Sequence, residues 1–390
     1  MCTVCGLHPK RAKLARRDCH NHNVTVTLAH KGDTGVRLQN VTVHIPLGVI
    51  VSDSLPTGRT PSIRDVARLA GVSHQTVSRV LNSHPSIRES TRLRVQQVID
   101  ELQYRPSSAA RALVKGQSRT IGVLSALSAE YGPASSIAAI QDAAREAGYF
   151  VNTANLSRGE PSSIQAAVDH LMYQSVEGIV VIAPQVRVIE AIEKLAIAVP
   201  YVTLQSTSGE GKHVLSVDQI AGARVATRHL IDLGHRNIYH LAGPQDWIEA
   251  EARMRGFLEE MGANDVPTTA PILGDWTADF GYYAGRELLR VRDFTAIFSS
   301  NDQMALGLMH AIRDAGLDIP RDVSIVGFDD IPEAAHFWPP LTTVRQDFAE
   351  LGRRCVALLL ANITGSLNEA SSSPLIPELV VRSSTAAPAW

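Results

Sequence analysis

One stretch of 21 residues, from Ser62 to Asn82 (SIRDVARLAGVSHQTVSRVLN), constrains this chain more than any other. Ile63, Val66, Ala67 and Ala70 recur at helical spacing and form a single apolar stripe. Gly71 follows, the residue type that best takes the left-handed conformation ending a helix. Ser73 is then placed to cap a second helix, whose Val77, Val80 and Leu81 pack back on the first. The outer face of that second helix carries His74, Gln75, Ser78 and Arg79. Gln pairs bidentately with adenine and Arg with guanine, so the pattern predicts a helix-turn-helix that reads DNA.

Thr91–Leu102 reads as an amphipathic third helix that closes a small core. Pro106 stops it, and Ser107 or Ser108 can cap a further short helix. Such a helix, under about 12 residues, is marginal alone. The extended segment Asp65-Val66-Ala67-x-x-Ala70-Gly71-Val72-Ser73-x-x-Thr76-Val77-Ser78-Arg79-Val80-Leu81-Asn82 resembles the headpiece of the lactose-repressor (LacI/GalR) family, and Tyr104–Leu113 resembles its hinge. The resemblance implies operator contacts from Ser73, His74, Gln75, Thr76, Ser78, Arg79 and Asn82. It also implies a hinge that folds on DNA beside its dimer mate and wedges Leu113 into the minor groove.

Charge divides the chain the same way. Residues 59–119 hold 11 Lys and Arg against 4 Asp and Glu, and residues 1–58 hold 7 against 3. With an overall charge of −2, residues 120–390 carry −13. A basic head on an acidic body suits a phosphate-binding module attached to a regulatory domain. No apolar run is long enough for a membrane span.

The expected organisation is a leader over 1–58, a headpiece over 61–105, a hinge and linker over 106–118, and a core over 119–390. The leader is expected to be disordered or to reflect a misassigned start. Cys2, Cys5, His8, Cys19, His20 and His22 have ligand types that suit zinc, but no clean second pair sets a geometry, so no metal or other cofactor is expected. Cys355 falls on a helical stripe as a buried thiol. Four scattered cysteines form no disulfide framework, which fits a cytoplasmic protein.

From Ser118 onward short apolar strands alternate with helices in two series of about 100 residues, the signature of parallel sheets covered on both faces. The strands are Thr120–Leu124, Tyr149–Ala154, Gly178–Ala183 and Pro200–Leu204, then Asn237–Ala242, Ala296–Ser299 and Ser324–Gly327. The segment Pro339–Phe348 reads as the passage back to the first series. The fold class expected is an all-α helix-turn-helix headpiece plus an α/β core of two doubly wound parallel-sheet lobes, which resembles periplasmic sugar-binding proteins. Ligands of such sheets bind in the crevice beyond the strand ends. Resemblance to the sugar-responsive branch implies that Arg255, Asn301 and Asp329 bind hydroxyls there, with Trp276 and Phe348 on the sugar ring and Pro133 in the first lobe. Arg, Asn and Asp each answer two hydroxyl hydrogen bonds, and aromatic faces suit the C–H side of a pyranose. Gln205, Ile182 and Ala126 depart from the lactose-repressor pattern, so a hexoside or disaccharide is implied without being named.

These features predict a repressor of sugar-utilisation genes that binds operator DNA as a homodimer and is released by a sugar. A transport-type sugar-binding protein explains only the body, and no signal-peptide pattern stands between Leu7 and Asn23. A corepressor-dependent regulator differs only in which state the ligand favours. His240 and Asp329 fall in different strands with no nucleophile motif between them, so an enzyme is not expected.

Overall fold

Ser62 opens the first helix through a reciprocal cap. Its Oγ accepts from the Asp65 N–H at 3.4 Å, and the Asp65 carboxylate accepts from the Ser62 N–H at 2.8 Å. Helix α1 (Ile63–Ala70) ends at Gly71, with φ 64° and ψ 36°. Ser73 caps α2 (His74–Leu81) by accepting from the Thr76 N–H at 3.2 Å. Helix α3 (Glu89–Leu102) lies against both, and Val66, Ala67, Ala70, Val77, Val80, Val95, Val98 and Ile99 form the buried centre. This computed structural model describes residues 23–32, 35–44, 60–105, 116–126, 130–156, 161–204, 214–366 and 373–389. The chain divides into two compact units, Met1–Pro106 and Ser107–Trp390.

Within residues 1–58 two strands are described. Strands β1 (Asn23–Gly32) and β2 (Gly35–His44) pair antiparallel, with Val24 opposite Val43 and Val26 opposite Val41. Gln39 and Asn40 interrupt the alternation in β2, which hides it from a periodicity count. Cys2, Cys5, His8, Cys19, His20 and His22 lie outside the described residues.

In the second unit, β3 (Thr120–Ala126), α4 (Tyr131–Glu146), β4 (Phe150–Leu156), α5 (Pro161–Tyr173), β5 (Gly178–Ile182), α6 (Val186–Glu193), β6 (Tyr201–Leu204) and β7 (Val214–Leu215) build the first lobe. Its sheet is parallel throughout, in the order β4-β3-β5-β6-β7. The second lobe comprises α7 (Gln219–Asp232), β8 (Ile238–Ala242), α8 (Ile248–Ala263), β9 (Ile272–Leu273), α9 (Ala278–Val291), β10 (Ala296–Ser299), α10 (Asp302–Asp314), β11 (Ser324–Asp329) and β12 (Thr342–Arg345). Helix α11 (Phe348–Thr364) returns to pack on α4 and on the first sheet, burying Cys355. Strand β13 (Glu378–Val380) then joins the second sheet antiparallel to β12, giving the order β13-β12-β11-β10-β8-β9.

Apolar clusters cover both faces of each sheet, as parallel strands require. Thr342–Arg345, read from the sequence as part of a connecting passage, is a strand paired with β11; the passage between lobes is therefore shorter. The chain crosses between lobes near residues 216–218, 346–348 and 373–377. Two of these crossings are tied together, since the Asp218 N–H donates to the Leu375 carbonyl at 2.8 Å and the Leu375 N–H to the Ser216 carbonyl at 2.9 Å. Among the described residues, no helix is long and apolar enough to cross a membrane.

Gly71→Val places a β-branched residue at a left-handed position, a cost of roughly 1–2 kcal/mol or more. In a headpiece this small, the variant is expected to lose DNA binding while the thermal transition of the second unit stays put. An unchanged mobility shift on DNA would contradict the role of this turn.

Candidate functional site

On α2 the recognition face is open. Ser73, His74, Gln75, Arg79 and Asn82 are exposed, and Thr76 and Ser78 are half-buried. Ser73 and Asn82 also have local work: Ser73 caps the helix start, and Asn82 donates to the Ser78 carbonyl at 2.8 Å at its end. The His74, Gln75 and Arg79 side chains stand exposed on the same helix. Leu113 lies outside the described residues.

In the second unit a cleft enclosing about 760 Å³ of atom-free space, its open mouth included, lies between the lobes beyond the strand ends. Pro133, Trp276, Asn301, Asp329 and Phe348 all line it. Arg255 does not. It stands 60 % exposed, 3.6 Å from Glu259 one turn along α8, and the buried guanidinium at the cleft belongs to Arg253. Helix periodicity gives the reason. Arg253, Gly256, Phe257, Glu260 and Met261 share the buried face of α8, and Arg255 lies about 200° from Arg253 around the axis.

Arg253 is held from every side. Its Nη2 lies 3.2 Å from Asp329 Oδ1, its Nε donates to Gln219 Oε1 at 2.8 Å, and its Nη1 donates to the Ser300 carbonyl. Its guanidinium carbon also stands 3.9 Å from the centre of the Phe328 ring. Gln346 closes the circuit by donating to Asp329 Oδ1 at 2.8 Å and accepting from Gln219 at 2.7 Å. Burial pushes the Asp329 carboxyl up to about 6, against the pull of Arg253 and Gln346. Asp329 itself sits at φ 105° and Asp330 at φ 52°, both left-handed. Asp330 is clamped by Arg345 and Arg382, each at 2.6 Å.

Asn301 serves two purposes. Its Oδ1 caps α10 by accepting from the Met304 N–H at 2.9 Å, while its Nδ2 donates to the Trp276 carbonyl at 2.9 Å. The Trp276 ring lies edge-on to Trp247, with centres 5.5 Å apart, and Phe348 meets Tyr131 edge-on at 5.8 Å. Gly243 makes room for Trp276, because a Cβ there would overlap the indole. Cleft residues not anticipated from the sequence include Arg253, Glu130, Tyr131, Trp247, Glu249, Gln219 and Gln346. Across the mouth, the Ile248 N–H donates to the Pro184 carbonyl at 2.8 Å and Arg187 stands 3.3 Å from Asp246, so the lobes touch there.

Residues 62–107 match the family described as bacterial regulatory proteins, lacI family, and residues 227–385 match the periplasmic binding protein-like domain. The lactose operon repressor of Escherichia coli (strain K12) is 35% identical over 330 residues, covering 84% of this chain and 91% of that protein. The chain belongs to the LacI family. Another member, the transcriptional regulator CelR of Thermobifida fusca, is 34% identical over 343 residues, covering 84% of this chain and 98% of its own. Among solved structures, the lac repressor dimer bound to operator and the anti-inducer ONPF superposes with a TM-score of 0.77 at 34% identity, covering 84% of this chain and 100% of that one. The CelR–cellobiose complex gives 0.61 at 31% identity, covering 83% and 99%.

Two predictions follow from the geometry of this LacI-family cleft. Arg255→Ala is expected to leave ligand affinity and stability near wild type, whereas Gly243→Ala displaces Trp276 and weakens binding; calorimetric titration of both variants with a ligand that the wild type binds checks this. The second concerns pH. Burial pushes the Glu249 carboxyl from its ordinary 4.5 up to about 7, with Asp329 adding to the rise and Arg253 opposing it. The folded cleft therefore keeps a proton that the unfolded chain has already released, and stability drains away as pH rises from about 4.5 to about 7. Glu249→Gln removes this loss. Its melting temperature is expected to match wild type near pH 4.5 and to exceed it by roughly several degrees at pH 8. A gap independent of pH would overturn the assignment.

Proposed function

We propose that this regulator is a repressor that binds a near-palindromic operator as a homodimer in the cytoplasm and is released by a sugar bound between its lobes. The observation that carries this reading is the pairing, in one chain, of an exposed recognition helix with a cleft built from a buried Arg253–Asp329 pair, Asn301 and aromatic walls. Similarity to repressors of lactose and ribose operons and to a regulator solved with cellobiose supports a sugar as the effector. Ser73, His74, Gln75, Thr76, Ser78, Arg79 and Asn82 would then face the operator, and Leu113 its minor groove. Arg253 takes the hydroxyl-binding role expected of Arg255.

Release needs a ligand that binds the two lobe arrangements unequally, since equal affinity shifts nothing. A coupling of about 1–3 kcal/mol is typical, and by linkage the operator must weaken sugar binding by the same factor. No catalytic role is part of this reading.

The test combines operator selection from random DNA with titration of neutral sugars against the complex. A sugar is expected to lower operator affinity of the wild type. Asp329→Asn should retain operator binding and lose the response, because Asp329 belongs to the second unit. Arg79→Ala should cost about 1–3 kcal/mol on the selected site and relax preference at one base pair. A sugar that instead tightens operator binding would make the ligand a corepressor, and selection of isolated half-sites would end the homodimer reading.

A further inference from the structure

Two polar atoms on residues that line the cleft lack any partner among the described residues: Glu249 Oε2 and Trp276 Nε1. Their neighbours are occupied. Arg253 is committed to Asp329, Gln219 and the Ser300 carbonyl, and Asn301 to Trp276 and Met304. Glu249 is the second residue of α8, one turn before Arg253, yet the two make no ion pair. An acidic residue at a helix start gains from the dipole when it faces water. Here the carboxyl oxygen is shut away from water, and leaving it unmatched costs free energy. Ligand binding is the event that can supply the missing partners.

We propose that Glu249 and Trp276 together recognise one hydroxyl-bearing edge of a neutral sugar. A hydroxyl has one donor hydrogen and two acceptor lone pairs, so it can donate to Glu249 Oε2 and accept from Trp276 Nε1. An ammonium group answers only the carboxylate. A phosphate or carboxylate on the ligand would meet Glu249, Glu130 and Asp329 in a cleft whose lining holds one cation, Arg253, already paired with Asp329. The pair therefore selects unphosphorylated, uncharged glycosides and rejects sugar phosphates and sugar acids. This inference rests on the reading of the cleft as a sugar site.

The test is calorimetric titration of the full-length protein at pH 7.5 with a panel of neutral sugars, lactose, cellobiose, ribose and glucose among them, and with glucose 6-phosphate. A neutral sugar is expected to bind, and glucose 6-phosphate to bind more weakly than glucose. Glu249→Ala and Trp276→Phe should each weaken the bound sugar by about 10- to 100-fold, the range for a lost hydrogen bond to a charged or buried group. The double variant should lose less than the product of the two, because both side chains serve the same edge. Glu249→Ala should melt no lower than wild type, which separates a ligand contact from a structural one. Full affinity in Glu249→Ala, multiplicative losses in the double variant, or preference for glucose 6-phosphate would each overturn the inference. If the wild type binds operator but no neutral sugar of the panel, the sugar reading itself fails and this inference falls with it.

Discussion

The buried pair of Arg253 and Asp329 is the constraint around which the second unit is arranged. Removing two opposite charges from water costs more than their attraction returns unless further hydrogen bonds complete both shells. Gln219, Gln346, the Ser300 carbonyl and the face of Phe328 supply that completion. The location of the two glutamines matters as much as their chemistry. Gln219 begins α7 directly after the first crossing between lobes, and Gln346 lies in the second. The closed ring of Arg253, Gln219, Gln346 and Asp329 thus joins the candidate ligand-binding charges to two of the segments that connect the lobes. A ligand that accepts from Arg253 or donates to Asp329 would bind to members of a ring that also holds both crossing glutamines.

Backbone strain holds the same site in register. Consecutive left-handed residues at Asp329 and Asp330 cost of order 1–3 kcal/mol each and persist only where the surroundings over-determine them. Arg345 and Arg382 clamp the Asp330 carboxylate, and Asp302 ties the following turn by accepting from the Ile331 N–H at 2.9 Å and the Thr343 hydroxyl at 2.6 Å. The strand end therefore presents Asp329 from a turn anchored at several points. Arg382 reaches this turn from just beyond β13, which explains why the chain returns to the second lobe after α11.

Legibility in the sequence followed the range of the interactions. The turn at Gly71 and the cap at Ser73 are readable because they are local, acting on residues within three or four positions. The strand–helix alternation was readable because burial leaves apolar runs, although α6, β7 and β9 are too short or too mixed to stand out. At the cleft, Asp329, Trp276 and Phe348 sit at recognisable strand ends and crossings. Arg253 was passed over for Arg255 because both flank Met254, and only the helical phase set by Gly256, Phe257 and Met261 separates them. Gln219 and Gln346 were invisible for a different reason. They stand 127 positions apart, and nothing in their local sequence reports that the crossings bring them together.

Two buried carboxyls show how partners, rather than burial, separate structure from recognition. Asp302 is fully buried, and desolvation together with the nearby Asp329 raises its pKa well above the ordinary value. Such perturbation serves both structural and functional ends. Yet both its oxygens are spoken for, by Thr343 and by the Ile331 N–H, so its work is to hold the turn beneath Asp329. Glu249 is raised too, but one of its oxygens has no partner among the described residues. A satisfied buried acid stabilises the fold it sits in. An unsatisfied one lowers stability until something else arrives, and its position on the cleft wall makes a ligand the partner it lacks.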